Sequence, residues 1–136
     1  MKTQEMFTSH PRNIRFDLDQ LTACISACTE CADSCTVCAD ACLGEEKVQM
    51  LVRCIGLNQD CADVCGVTAR ILARQSESES LLLRLQLETC ATACRICAEE
   101  CDKHAEMHRH CRVCANSCRN CEDKCRVMLK AMMTER

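Results

Sequence analysis

Cysteine recurs along this chain at alternating steps of four and three residues. The longest run places it at positions 24, 28, 31, 35, 38 and 42. This spacing is typical of the buried stripe of an α-helix, because residues three and four apart lie on one face. At a rise of about 1.5 Å per residue, such a stripe follows the axis of a long helix. The pattern therefore predicts a helix whose inward face carries sulfur where leucine is usual.

Three further segments repeat the pattern, and all 18 cysteines fall on one of the four stripes. In the second stripe, Asn58 takes the position between Cys54 and Cys61. A buried asparagine on such a stripe can fix the register of the helices. A single buried cysteine is often only a small hydrophobic residue. That interpretation does not explain why all 18 cysteines fall on helical stripes. We therefore place the function in the interior that the four stripes enclose.

The chain has only 3 glycines and 1 proline in 136 residues, which favours helices joined by short turns over a sheet. We predict an all-α fold, an antiparallel up-down-up-down four-helix bundle with a cysteine-lined core. The predicted division is an N-terminal lead-in at 1–16, the bundle at 17–132 and a C-terminal tail at 133–136. Within the bundle, the helices are expected at about 17–43, 46–73, 78–104 and 107–132.

Helix start and stop signals refine these limits. Asp17 or Asn13 is expected to cap the first long helix, which should stop at Leu43 before Gly44. The next two residues, both glutamate, suit the first turn of the second helix. A serine from the polar run at 74–79 is available to cap the third helix. The lead-in, ending near Pro11, is expected to be a loose arm or a short helix.

An antiparallel bundle sorts the remaining residues to its two ends. One end should form a hydrophobic plug that gathers Leu18, Leu21, Ile71, Leu72, the leucines at 81–87, Met128, Leu129 and Met132. The opposite end should present soft metal ligands to solvent, namely Cys42, Met50, Cys54, Cys101, His104, Met107, His108, His110 and Cys111. Methionine is also a common gap-filler and histidine a common turn residue, so these end residues have a purely structural interpretation as well.

Charge and hydropathy exclude several classes of partner. With a net charge of -3, the chain lacks the excess of positive charge that binding to nucleic acid or to an anionic membrane surface requires. No apolar run approaches the roughly 18 residues of a membrane span. The first residues lack the pattern of a secretory signal, so we expect a cytoplasmic protein. Cysteines in the cytoplasm are normally kept reduced, which favours metal binding over a disulfide framework.

Thiolates are soft ligands that select Cu(I), zinc or iron–sulfur clusters. Zinc at structural sites needs four ligands in a tetrahedron, and a continuous row of thiols exceeds what a few such sites require. Ionising all the thiols without metal would bury a large uncompensated charge, which is very costly. Equal numbers of Cu(I) ions and thiolates cancel that charge. A zinc or general soft-metal buffer remains an alternative at this stage.

Two other classes fit the residues less well. A thiol oxidoreductase would present one exposed cysteine of low pKa beside a resolving partner, and no cysteine here is distinguished in that way. No other catalytic constellation is evident, so we do not expect an enzyme. An iron–sulfur carrier is suggested by the cysteines at 111–121, but a regular helix through them leaves little room for a cluster held by four thiolates.

The four cysteine stripes, the near-absence of aromatic residues and the His/Met cluster at one end resemble the cytosolic four-helix-bundle copper storage proteins. The resemblance covers about residues 17–132, and it departs at the lead-in and at Asn58. It implies storage or sequestration of many Cu(I) ions per chain, uptake through the His/Met end and a homotetramer, with a copper chaperone as a further candidate partner. The candidate ligands are Cys24, Cys28, Cys31, Cys35, Cys38, Cys42, Cys54, Cys61, Cys65, Cys90, Cys94, Cys97, Cys101, Cys111, Cys114, Cys118, Cys121, Cys125, His104, His108, His110, Met50 and Met107.

Overall fold

A computed structural model describes residues 2–134, and every regular element within them is helical. A short helix, α1, precedes four long helices. Their bounds are α1 Lys2–Thr8, α2 Leu18–Leu43, α3 Val52–Ala73, α4 Ser80–Asp102 and α5 Arg109–Thr134, with a single 3-10 turn at Val48–Leu51 before α3. The prediction of an all-α fold with four long helices is confirmed, and the lead-in takes the short-helix alternative.

The four long helices pack in a closed ring. Helix α2 contacts α3 and α5, and α4 contacts the same two helices, so each long helix has two neighbours. Their cysteine stripes all turn toward the middle of this ring, because the spacing of four and three keeps each stripe on one face. The result is a helical bundle whose centre is filled by sulfur.

The capping predictions are correct at α2 and wrong at α3 and α4. Asp17 caps α2 by accepting a hydrogen bond from the Gln20 backbone N–H at 2.9 Å. Helix α3 begins at Val52, several residues later than expected. Glu45 lies outside any helix because it contacts His108 and His110, which lie at the N-terminal end of α5. Glu79, not a serine, caps α4 by accepting from the Leu81 N–H at 3.3 Å.

One end of the bundle is closed by apolar side chains, as predicted. Its fully buried members are Leu21, Leu72, Leu83, Leu87 and Met128. The expectation that all the leucines at 81–87 point inward is wrong. Leu81, Leu82 and Leu85 are about half exposed, because consecutive helical residues cannot all share one face.

The lead-in covers this closed end. Phe7 on α1 and Phe16 before α2 are each only 7% exposed and belong to the same apolar core. Polar contacts hold the segment in place: Gln4 donates to Asp19 at 2.8 Å, and Arg15 donates to the Ser80 hydroxyl at 2.8 Å. The only two aromatic residues of the chain thus seal the end where α2 and α4 begin.

Candidate metal centre

All 18 cysteines are free thiols, and none is more than 1% exposed. A cysteine side chain is short, so four inward stripes of it leave the sulfur atoms of facing helices close together at the bundle axis. The structure therefore brings together, in one buried interior, every cysteine that the sequence marked as a candidate ligand.

The sulfur atoms form a connected network. Between helices, Cys35 and Cys118 lie 3.6 Å apart, as do the sulfurs of Cys65 and Cys94. Along one helix, the Cys31 and Cys35 sulfurs are 3.9 Å apart, as the i, i+4 spacing predicts. Such separations allow two or three sulfurs to contact the same small soft ion after minor side-chain movement.

Several sets of four sulfurs lie within 4.8 Å of one another. These sets follow one another from the closed end to the opposite end of the bundle. Five of them are Cys28, Cys90, Cys121 and Cys125; Cys31, Cys65, Cys94 and Cys121; Cys31, Cys35, Cys61 and Cys118; Cys35, Cys97, Cys114 and Cys118; and Cys38, Cys42, Cys54 and Cys111. Shared members link the first four of these sets, and Asn58 lies between the fourth and the fifth, so the core is a ladder of neighbouring sites.

Asn58 occupies a step of this ladder, fully buried, as its stripe position predicts. Its Oδ1 accepts hydrogen bonds from the thiols of Cys97 at 3.0 Å and Cys114 at 3.2 Å. Its Nδ2 donates to the Cys54 sulfur at 3.6 Å. The amide is therefore satisfied entirely by thiols, and it joins the inner sulfurs to those nearer the opposite end.

Neighbouring thiols of the core have pKa values shifted in opposite directions. Hydrogen bonds with Cys101 and Cys111 lower the pKa of Cys38 to about 3. Burial, followed by the charges of Cys38 and Cys54, raises the pKa of Cys42 to about 12. A thiolate is stabilised by the S–H groups around it, and its charge makes those neighbours harder to ionise.

The end of the bundle opposite the plug carries the three histidines, in the region we call the mouth. A cleft of about 330 Å³ there is lined by Glu45, Met50, His104, Met107 and His108, among others. Met50 and Met107 are 65% and 73% exposed, so their thioethers are available at the surface. The structure therefore places His104, His108, Met50 and Met107 around one cleft, whereas His110 lines a second cleft together with Cys38 and Cys114.

Two carboxylates orient the histidines. Glu45 contacts His108 Nδ1 at 3.0 Å and His110 Nε2 at 2.9 Å, and these two rings stack with centroids 5.5 Å apart. The remaining nitrogen of His110, Nδ1, lies 3.4 Å from the Cys38 sulfur. His110 is thus the link between the charged surface of the mouth and the first thiols of the core.

The second carboxylate, Glu100, is only 6% exposed. It contacts His104 Nε2 at 3.0 Å, Lys103 Nζ at 3.2 Å and Arg53 Nε at 3.3 Å. Burial raises the pKa of Glu100, but the hydrogen bonds with His104 and Lys103 outweigh it and lower the pKa below its usual value. The ionised carboxylate holds His104 by Nε2 and leaves Nδ1 as the nitrogen free to bind a ligand.

Sequence reasoning missed Glu45 and Glu100. The spacing of Glu100 and His104, four residues apart on a helix, was a signal for the second pair. Glu45 has no comparable signal, because its histidine partners lie 63 and 65 residues further along the chain. Within the described residues, no helix combines the length and the apolar character needed to cross a bilayer.

Comparisons with known proteins agree with this geometry. The sequence model of the copper storage protein family, Csp, matches residues 17–130. The structure superposes on the Streptomyces lividans copper storage protein Ccsp loaded with 10 copper equivalents, with a TM-score of 0.92 and 43% identity, covering 94% of this chain and 98% of that one. A comparison with curated protein sequences gives no match.

Two other solved structures are similar. A cytosolic copper storage protein from Streptomyces lividans with five coppers is 47% identical, with a TM-score of 0.81 over 82% of this chain and 93% of that one. The Cu(I)-bound copper storage protein BsCsp3 is 35% identical, with a TM-score of 0.72 over 81% of this chain and 98% of that one. With the family model covering most of its length and its interior lined by buried thiols, this chain belongs to the copper storage protein family.

Proposed function

We propose that this protein stores Cu(I) in the cytoplasm by binding many ions per chain through the thiolates of its core. The observation that carries the proposal is the connected network of 18 buried free thiols. Each Cu(I) that replaces a thiol proton leaves the local charge unchanged, so the interior can fill without accumulating buried charge. The copper-loaded relatives and the relative described as cytosolic support the cargo and the compartment.

The eighteen cysteines are the proposed ligands of the stored ions, and the mouth is the proposed route of uptake. There, His110 would bind through Nδ1, the nitrogen 3.4 Å from Cys38 and 3.7 Å from Cys111. His104 would bind through the nitrogen that Glu100 leaves free. His108, Met50 and Met107 complete the soft ligands of the cleft and are proposed to receive ions from outside.

The finer architecture belongs to the same proposal. We assign residues 17–132 to an antiparallel up-down-up-down four-helix bundle, supported by the short connections between long helices and by their closed ring of contacts. We assign residues 1–16 to a lead-in that packs on the bundle and 133–136 to a tail, into which α5 extends as far as Thr134; residues 1, 135 and 136 lie outside the described residues. A homotetramer, with a copper chaperone as delivery partner, is proposed from the family resemblance alone.

Anaerobic titration of the fully reduced protein with Cu(I) against a competing chelator tests the storage function. Ions that remain bound after gel filtration are counted per chain by elemental analysis, and the melting temperature is followed as loading proceeds. We expect roughly one Cu(I) per cysteine and a rising melting temperature, because the ions bind the folded state. A capacity of only a few Cu(I) ions, or an unchanged melting temperature after loading, would overturn the proposal.

A further inference from the structure

Several sets of four sulfurs recur along the core, and the set formed by Cys38, Cys42, Cys54 and Cys111 has a histidine beside it. It lies at the mouth, where His110 contacts both Cys38 and Cys111. Deeper in the core, Cys61 and Cys118 make their hydrogen bonds with other thiols. The mouth set thus combines four sulfurs with a nitrogen donor, and it lies at the end proposed above for copper uptake.

We propose that this mouth set binds one divalent soft ion of the Zn(II) class, and that the bound ion closes the core to incoming copper. The inference rests on the storage function proposed above and assigns a regulator to the same mouth. The four sulfur atoms lie within 4.8 Å of one another. A tetrahedral ion with metal–sulfur bonds of about 2.3 Å requires sulfurs slightly closer than that, which small rotations of the side chains provide.

The charge of a divalent ion explains why it should bind at the mouth and not deeper in the core. When four thiols bind Zn(II), they release four protons, and the resulting tetrathiolate carries two negative charges. A Cu(I) ion bound to one thiolate, by contrast, leaves no net charge. Two uncompensated charges are very costly among sulfurs alone. At the mouth, an N–H at His110 Nδ1 can donate to the Cys38 thiolate at 3.4 Å.

The hydrogen-bond chain of His110 continues outward. Its Nε2 lies 2.9 Å from Glu45, and the same carboxylate contacts His108. This arrangement of carboxylate, imidazole and metal-bound sulfur is the kind of outer-shell support that fixes a donor and stabilises a metal ligand. The position of the set completes the argument, because an ion bound to Cys42 and Cys111 would lie between the mouth histidines and the inner cysteines, on the uptake route proposed above.

The test uses Zn(II), and Co(II) as its coloured substitute, on the full-length reduced protein without copper. We expect one tightly bound ion per chain, and with Co(II) the sulfur-to-metal absorption of a tetrahedral tetrathiolate. The Cys42→Ser variant should lose both signals. Its matched control, Cys28→Ser, alters the set nearest the closed end and should keep them. His110→Ala should weaken Zn(II) binding by about tenfold, as loss of an outer-shell partner does.

The closing effect is measured as the initial rate of Cu(I) uptake with and without one equivalent of Zn(II). Zn(II) should slow uptake in the wild type and in Cys28→Ser, and should have no effect in Cys42→Ser. The final copper capacity should stay the same, since Cu(I) displaces the zinc from thiolates. Circular dichroism of each variant confirms that it is folded before its rates are compared.

Several outcomes would overturn the inference: no bound Zn(II), several ions per chain, retention of the ion by Cys42→Ser, or uptake that zinc does not slow. If copper capacity remains near one ion per cysteine in these experiments, the storage function stands and only the zinc site is wrong. If the protein instead binds several Zn(II) ions and few Cu(I) ions, both conclusions fail.

Discussion

The side-chain oxygen of Asn58 lies 3.0 Å from the Cys97 sulfur and accepts a hydrogen bond from its thiol. The residue takes a position on the α3 stripe that the heptad-like spacing would otherwise give to cysteine. Because its oxygen also accepts from Cys114 and its nitrogen donates to Cys54, the amide is a satisfied polar group inside an almost uniform sulfur core. It holds sulfurs of three different helices in fixed relative positions.

Replacing Asn58 by cysteine should complete the fourth stripe and raise the Cu(I) capacity by about one ion, since soft-ligand number limits the cargo. Elemental analysis after anaerobic loading measures the change. The matched Asn58→Ala variant should show no gain and should lose about 2 kcal/mol of unfolding free energy without metal, because the thiols lose their acceptor. Equal capacities for the cysteine and alanine variants would contradict the prediction.

Replacing both Cys31 and Cys35 by serine should lower the capacity by a few ions and leave the bundle folded. These residues belong to three of the sets of four sulfurs, and serine is nearly the same size but a poor ligand for Cu(I). Copper counting and far-UV circular dichroism test the two halves of the prediction. Undiminished loading would refute a core filled with copper.

Replacing His104 and His108 by alanine should slow copper uptake and removal while hardly changing the capacity. Both side chains line the mouth cleft, whereas the storage sulfurs lie behind it. Stopped-flow mixing with a Cu(I)–chelator complex measures the rate. His10→Ala is the control, since His10 contacts Ser76 at the other end of the bundle. Unchanged kinetics in the double variant would move the entrance elsewhere.

Replacing Phe7 by alanine should lower the unfolding free energy by about 3 kcal/mol, because the ring is buried against the apolar end of the core. Met6→Ala is the matched control on the same short helix, with a side chain that is 71% exposed. Chemical denaturation of the copper-free protein measures both. Equal stabilities of the two variants would mean that α1 does not seal the bundle.

The contact between Glu45 and His110 should make the stability of the copper-free protein depend on pH. Burial lowers the pKa of His110, but its hydrogen bonds with Cys38 and Glu45 outweigh that and raise it above the ordinary value of 6.5. A raised histidine pKa stabilises the folded state below the unfolded value, and the contribution is lost as pH rises through the folded value.

The pKa of Glu45 is shifted in the opposite direction to that of His110. The hydrogen bond with His110 lowers the pKa of Glu45 below 4.5, so its contribution is present above that pH and lost as pH falls through the folded value. The stability difference between wild type and His110→Ala should therefore be largest between about pH 5 and 6.5 and should shrink at alkaline pH. Thermal unfolding across this range measures it, and a difference independent of pH would contradict the prediction.

Much of the fold followed from the cysteine spacing. The stripes located the four long helices and their buried faces, because a helix repeats every 3.6 residues whatever the tertiary structure. The ends of the helices were less predictable. Helix α3 begins late because the loop before it is drawn to His108 and His110, and Leu81, Leu82 and Leu85 face solvent although they are as apolar as their buried neighbours.

The sequence by itself determined that this protein has a helical, cysteine-lined interior suited to soft metal ions, because residue spacing decides which side chains share a helix face. Only the tertiary structure decided which nitrogen of His110 is held by Glu45, which thiols of other helices meet Asn58, and that Phe7 and Phe16 close the far end. These relationships join residues distant in the chain, and such contacts depend on how the helices pack, which no local pattern encodes.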